Sequence, residues 1–189
     1  WSSSNPEIAK VDANGNVTSI TDELGNMKKY NYDLLDRLTE VEDERTAKTS
    51  YKYDNVGNMV EQTNANGAVT QYNYDLLNRL KQSIDANGNI TTYNYDKESN
   101  LTEVIKADGN TINYDYDKIN ELVSKDSEQD EDINAMYGYD KTGKLIKMED
   151  CLGTTTYEYD EAGRISKVTM QGGKQLAYKY DELSRLNEI

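Results

Sequence analysis

Thr49-Ser50-Tyr51-Lys52-Tyr53-Asp54-Asn55-Val56-Gly57-Asn58-Met59 is the stretch whose reading decides the fold. Thr49, Tyr51 and Tyr53 alternate, so in an extended chain they share one face. Asp54 and Gly57 then mark a tight turn: the carboxylate can accept backbone N–H groups, and Gly takes positive φ without steric cost. Met59 opens the next apolar segment. The unit Tyr-x-Tyr-Asp begins at Tyr30, Tyr51, Tyr72, Tyr93, Tyr114, Tyr137, Tyr157 and Tyr178, at successive spacings of 21, 21, 21, 21, 23, 20 and 21 residues. The second tyrosines are Tyr32, Tyr53, Tyr74, Tyr95, Tyr116, Tyr139, Tyr159 and Tyr180, so eight copies hold all sixteen tyrosines. Each is followed by a turn aspartate: Asp33, Asp54, Asp75, Asp96, Asp117, Asp140, Asp160 and Asp181.

Working outward, the Gly57 slot is filled elsewhere by Asp36, Asn78, Ser99, Asn120 or Ser184, which predicts φ > 0 there, with the two serines the poorer fits. A second set of turns lies midway between the first, at Asp12–Asn16, Asp22–Asn26, Asn64–Gly67, Asp85–Asn89 and Asp108–Asn110. Turns about every ten residues leave strands of about five or six. The segments are too short for amphipathic helices and rich in Thr, Tyr, Val and Ile, which suit a pleated surface. The expected class is therefore all-β: one array of about eight to nine tandem antiparallel β-hairpin repeats over residues 1–189, about 21 residues each, without separate domains. An apolar residue opens each intervening strand (Leu38, Met59, Leu101, Ile165), and a second often follows three positions on (Val41, Val104, Val168). That spacing fits either a bulge or two partly covered faces. The 23-residue copy contains Ser124–Asp132, expected to be a lengthened, solvated, acidic loop.

Composition excludes several functions. Apolar residues are 35% with no Phe, mean hydropathy is −0.93 and net charge is −14, so one compact core is hard to fill and a basic nucleic-acid footprint is absent. No apolar run approaches the ~20 residues that span a bilayer, so membrane insertion is not expected. With no His and one Cys, imidazole triads and Cys/His zinc sites cannot form, and Cys151 reads as a tolerated loop thiol. Among 35 acidic residues some carboxylate pair always qualifies as a general acid and base, so none discriminates; no catalytic residue and no cofactor is assigned. Asp12, Asn14 and Asn16, and Asp85, Asn87 and Asn89, place oxygens at alternate positions as calcium loops do, but hairpin Asx turns give the same letters.

Tyr159-Asp160-Glu161-Ala162-Gly163-Arg164 resembles the YD repeat of the RHS family. Tyr32-Asp33 with Arg37, Tyr74-Asp75 with Arg79 and Tyr180-Asp181 with Arg185 lack only the Gly. The resemblance implies a β-strip spiralling into a hollow shell, as in bacterial polymorphic toxins, insecticidal toxin complexes and teneurins. In the toxins such shells enclose a toxic C-terminal domain; in teneurins they scaffold cell–cell binding. The resemblance therefore implies a non-enzymatic shell segment, secreted or at the cell surface, whose partners are the remainder of the parent shell and an enclosed toxin domain. The alternative is an adhesion module that binds a surface glycan or protein ligand through the tyrosine face. An open strip with unpaired edges also implies self-association through sheet edges. Sequons at Asn16, Asn89 and Asn100 matter only in a eukaryotic secretory pathway, and the Asn-, Lys- and Ile-rich usage looks bacterial.

Overall fold

A computed structural model describes residues 9–188; Pro6 and Ile189 lie outside them. The chain divides into two compact units between Thr91 and Thr92. The first contains β1 (Ala9–Val11), β2 (Val17–Thr21), β3 (Met27–Tyr32), β4 (Leu38–Glu42), β5 (Lys48–Tyr53), β6 (Met59–Thr63), β7 (Val69–Tyr74) and β8 (Leu80–Ile84). Each strand of this unit runs antiparallel to the next. The division falls within β9 (Ile90–Tyr95). From Thr92 onward β9 pairs with β10 (Leu101–Ile105), which is followed by β11 (Thr111–Tyr116), β12 (Leu122–Asp126), β13 (Ala135–Tyr139) and β14 (Leu145–Asp150). The second unit continues with β15 (Gly153–Tyr159), β16 (Ile165–Thr169) and β17 (Gln175–Ala177), again antiparallel in sequence order, and a hairpin of β18 (Lys179–Tyr180) with β19 (Leu186–Glu188). Among the described residues the helical segments are two single 3-10 turns, Glu131–Ile133 and Gln171–Gly173.

The all-β array of hairpins expected from the turn spacing is what the chain forms, and the turns show why. The Asp33 N–H donates to the Arg37 carbonyl at 2.9 Å, and the Asp36 N–H donates to the Asp33 carbonyl at 3.1 Å. Asp36 itself has φ 59°. This is the three-residue hairpin loop, a type I turn followed by a left-handed residue. The slot residues Gly57, Asn78, Ser99, Asn120 and Ser184 all have positive φ, as the sequence predicts. One turn is invisible to that reading: Asp43–Ala47 closes in the same way with Thr46 at φ 63°, where a β-branched side chain is strained.

The three-residue apolar spacing is explained by a bulge. Tyr30 pairs with Val41 and Asn31 with Glu40, but Tyr32 pairs with Leu38, so Thr39 is the extra residue. The same shift occurs between Lys52 and Tyr53, Asn73 and Tyr74, Asp115 and Tyr116, Gly138 and Tyr139, and Glu158 and Tyr159. Leu38 and Val41 thus both stand opposite tyrosines on one face, which a regular strand cannot achieve.

The two faces differ in chemistry. All sixteen tyrosines are half-buried, whereas Asn31, Lys52, Asn73, Asn94, Asp115, Glu158 and Lys179, each between two tyrosines, are exposed. Val104 and Ile112 are the buried apolar residues among those described. The polar face carries cross-strand ion pairs: Lys29–Glu42 at 2.7 Å, Lys48–Glu40 at 2.9 Å, Lys52–Glu61 at 2.7 Å, and Lys167–Glu158. Exposed pairs of this kind contribute about 0–1 kcal/mol each, so they fix register and solubility more than stability.

The irregular copies differ from expectation in detail. Within 124–132, Ser124–Asp126 complete β12 rather than a loop, and Ser127 is the most buried residue described. Its hydroxyl donates to Asn110 Oδ1 at 2.7 Å, and its N–H donates to Asn134 Oδ1 at 2.7 Å. Acidity alone suggested solvation, but these polar partners pin the start of the insertion. The 20-residue spacing arises because Asp150 pairs directly with Gly153, leaving the two-residue loop Cys151-Leu152.

Candidate functional site

The YD motif forms two columns of contacts, each linking a repeat to the next. The inter-repeat ladders stop short on the YD side: β4 and β5 pair from Glu42↔Lys48 only as far as Glu40↔Ser50. Beyond that point the Tyr53 hydroxyl donates to the Leu38 carbonyl at 2.8 Å, at the bulge of the preceding repeat. Tyr32 does the same to Val17, Tyr74 to Met59, Tyr116 to Leu101, Tyr139 to Leu122, Tyr159 to Leu145 and Tyr180 to Ile165, at 2.7–3.0 Å. A part-buried carbonyl that the ladder does not reach is thereby satisfied by a side chain. Burial pushes the phenols of Tyr32, Tyr74, Tyr116, Tyr139 and Tyr159 above their ordinary pKa. Tyr114, a first-position tyrosine, is raised for the same reason.

The second column runs through the turns. Asp33 Oδ1 accepts the N–H groups of Leu35 and Arg37, while Oδ2 accepts Arg37 Nε at 2.7 Å. Asp75, Asp160 and Asp181 hold Arg79, Arg164 and Arg185 in the same manner. Two of these arginines also reach the following repeat: Arg37 donates to the Asp54 carbonyl at 3.0 Å and stacks 4.8 Å from the Tyr53 ring centre. Arg164 donates to Ser184 Oγ and lies 4.5 Å over Tyr180. Where Asn replaces Arg, the bridge persists in neutral form, Asn58 Nδ2 to Asn78 Oδ1 at 3.0 Å and Asn100 Nδ2 to Asn120 Oδ1 at 2.9 Å. Lys144 substitutes a stack on Tyr159, its Nζ 5.3 Å from the ring centre. The slot-six residue of the motif, counted from the second tyrosine, is therefore a turn-to-turn connector at Arg37, Asn58, Asn100, Lys144 and Arg164, a role sequence reading did not assign; its recurrence seven residues after each first tyrosine was the available signal.

These contacts set the carboxylate electrostatics. The Arg164 side chain, then its backbone N–H, holds Asp160 below its ordinary pKa. For Asp75 and Asp181 the backbone N–H of Arg79 and Arg185 is the first cause, with the guanidinium adding to it. Burial would raise Asp12, but the donors from Asn16 and Asn14 together bring it down.

The loops with calcium-like spacing use their oxygens internally. Asp12 Oδ1 accepts the N–H groups of Asn14 and Asn16 at 2.9 Å each, and Oδ2 accepts Asn16 Nδ2 at 3.1 Å. Asn14 and Asn16 both donate to Asp36 Oδ1 at 2.7 Å. Asp85 holds Asn87 and Asn89 in the same pattern. No group of three or more acidic, His or Cys side chains is arranged to hold a metal among the described residues. Cys151 is exposed in its two-residue turn and stands apart from both columns. The sequon side chains of Asn16, Asn89 and Asn100 are likewise engaged in turn hydrogen bonds.

Comparison with known proteins agrees with this geometry. A model of the teneurin YD-shell family matches residues 64–188, and the RHS repeat matches 11–48 and 32–70. No curated protein matches the chain. Among solved structures, TcdB2-TccC3 without its hypervariable C-terminal region is 14% identical with a TM-score of 0.69, covering 95% of this chain. TcdB2-TccC3-Cdc42 is 14% identical with a TM-score of 0.67 over 94% of the chain. A Tc holotoxin pore of Photorhabdus luminescens with a TccC3 mutation is 16% identical with a TM-score of 0.60 over 94%. The chain spans only 12–13% of the length of these structures, and the likeness carries the fold. With two thirds of its length matched and the tyrosine–aspartate columns in place, the chain belongs to the teneurin YD-shell family.

Proposed function

We propose that the chain is a non-catalytic wall segment of a β-shell, and that the shell encloses or presents a toxin domain. The observation that carries this reading is that both columns join neighbouring repeats: the tyrosine hydroxyls reach back and the slot-six connectors reach forward, and both are used to extend a wall. The turn carboxylates that could have served catalysis are occupied by their own turns. Related structures include TcdB2-TccC3 and TcdB2-TccC3 without its hypervariable C-terminal region, which supports a wall that persists without that region. No described helix is long and apolar enough to cross a membrane. Secretion or surface display follows from the proposed role, as do the proposed partners, the remaining repeats and the enclosed domain. Ligand binding through the tyrosine face has less support, because the rings are half-buried and the second hydroxyl of each pair is committed.

The test is made on the longer parent protein. Removing two links with Tyr74→Ala and Tyr116→Ala is expected to expose an enclosed domain to protease while leaving the isolated domain's activity unchanged. Equal protease protection in the variant and the original would reject the enclosing role.

A further inference from the structure

The slot-six connector of each repeat and the left-handed slot residue of the next are matched in size along the sequence. The asparagine connectors Asn16, Asn58 and Asn100 are followed by the longer slot residues Asp36, Asn78 and Asn120. The long connectors Arg37, Arg79, Glu121, Lys144 and Arg164 are followed instead by Gly57, Ser99, Gly143, Gly163 and Ser184. The match runs between repeats and not within a turn, since Arg37, Arg79 and Arg164 directly follow Asp36, Asn78 and Gly163 in their own turns. Geometry gives the reason. A short connector needs an acceptor side chain to meet it: Asn16 Nδ2 finds Asp36 Oδ1 at 2.7 Å, Asn58 finds Asn78 Oδ1 at 3.0 Å and Asn100 finds Asn120 Oδ1 at 2.9 Å. A long connector lies across the slot. A Cβ at Gly143 would stand 2.7 Å from Glu121 Oε1, and one at Gly163 3.0 Å from Lys144 Nζ. Arg37 runs past Gly57 to the Asp54 carbonyl, and Arg164 meets in Ser184 a hydroxyl small enough to leave it room, at 3.1 Å. Backbone angle does not explain the choice, because the five non-glycine slots hold φ of 59–73°.

We propose that each connector and the slot it meets form a key that fixes which repeat stacks on which. The partner recognised at each joint is another YD turn, of either a small-slot or an Asx-slot class. The key rests on the wall reading but not on what the wall encloses. Near-identical tandem hairpins face a hazard of register: a repeat can stack on the one after next, because the tyrosine locks and backbone ladders are alike in every copy. From Asn16 to Asn120 the joints alternate between the two classes. A slip by one repeat therefore sets Asn16 against Gly57, which offers no side-chain acceptor, and Arg37 against Asn78, whose side chain stands in the connector's path. The alternation covers the copies from Tyr30 to Tyr114, all spaced by 21 residues, where length cannot tell one from another. It ends at Gly143, where the spacings become 23 and 20 and length itself marks the copies.

A double-substitution cycle on the full chain, read by urea unfolding, measures the key. Asn58→Arg alone sets a long connector against Asn78, and Asn78→Gly alone removes the acceptor of Asn58. Together they rebuild the long-and-small joint of Arg37 and Gly57. The cycle cancels what each substitution does inside its own turn, including the relief of positive φ at residue 78. The product of the folding constants of the double variant and the original chain should exceed that of the two single variants by about fivefold or more. The opposite conversion, Glu121→Asn with Gly143→Asn, should couple in the same sense. Asn58→Arg with Ser184→Gly, which share no joint, should combine without coupling. Additive effects at the two joints, or equal coupling in the unjoined pair, overturn the key. The protease test of the enclosing role uses other residues and another readout, so either reading can fail while the other stands.

Discussion

Tyr74→Phe isolates the hydroxyl link between repeats. The ring and its packing remain, and only the 2.9 Å hydrogen bond to the Met59 carbonyl is removed. A hydrogen bond contributes about 0.5–1.5 kcal/mol net, and a buried acceptor left without a partner costs about 1–3 kcal/mol. Tyr74 is half-buried, so water recovers part of that cost and the expected loss is about 1–1.5 kcal/mol. Tyr72→Phe is the matched control: its ring lies on the same face, but no protein group among the described residues pairs with its hydroxyl. The control should change stability by less than about 0.5 kcal/mol. Urea unfolding followed by far-UV circular dichroism reads the difference; with a slope of about 2 kcal/mol per molar, Tyr74→Phe lowers the midpoint by about 0.5–0.7 M. Equal midpoints for the two phenylalanine variants would refute the linking role of the second tyrosine.

Thr46→Gly should stabilise the chain by about 0.5–1 kcal/mol, since it relieves a left-handed β-branched residue while adding some entropy to the unfolded state; a lower thermal midpoint would show that Thr46 is not strained. Stability should form a plateau in pH. The depressed folded pKa values of Asp75, Asp160 and Asp181 give a contribution present above about pH 4 and lost as pH falls through those lowered values. The raised phenols of Tyr32, Tyr74 and Tyr139 give one that is complete below about pH 10 and lost as pH rises through the folded values, so thermal melts that improve above pH 10 would contradict it. Amides near Ala135 and Met136 should exchange with deuterium before those near Thr70 and Gln71. The ladder between β12 and β13 has only the pairs Ser124↔Met136 and Lys125↔Ala135, against three pairs between β6 and β7; the reverse order would place the weakest seam elsewhere.

The hairpin array was legible because turn chemistry is local. Asp54 and Gly57 state their turn within four residues, and Asn78 or Asp36 in the same slot states the same φ. Thr46 escaped because nothing in a threonine announces a left-handed angle. The bulge was only half legible: Leu38 and Val41 revealed that the register was irregular, but Thr39 as the extra residue required the pairing itself. The tyrosine and aspartate positions could be read directly, while the hydroxyl links could not, since their acceptors are backbone carbonyls 14 to 17 residues upstream and leave no trace in residue identity. Ser127 was hidden for a different reason. It sits among acidic neighbours that imply solvent, and its burial depends on Asn110 and Asn134 from adjoining segments.

The backward reach of the second tyrosine gives the array a direction. During synthesis each hairpin emerges with its bulge carbonyl open, and the lock arrives only when the next tyrosine pair has been made, so the wall closes one hairpin behind the growing end. Such a chain can fold in the order in which it is translated, with no long-range partner to wait for. Defects are also displaced by this geometry: a damaged tyrosine harms the repeat before it more than its own, and a whole repeat of 21 residues can be gained or lost while every remaining lock still finds its carbonyl. Length can then vary among related shells without any redesign of the unit.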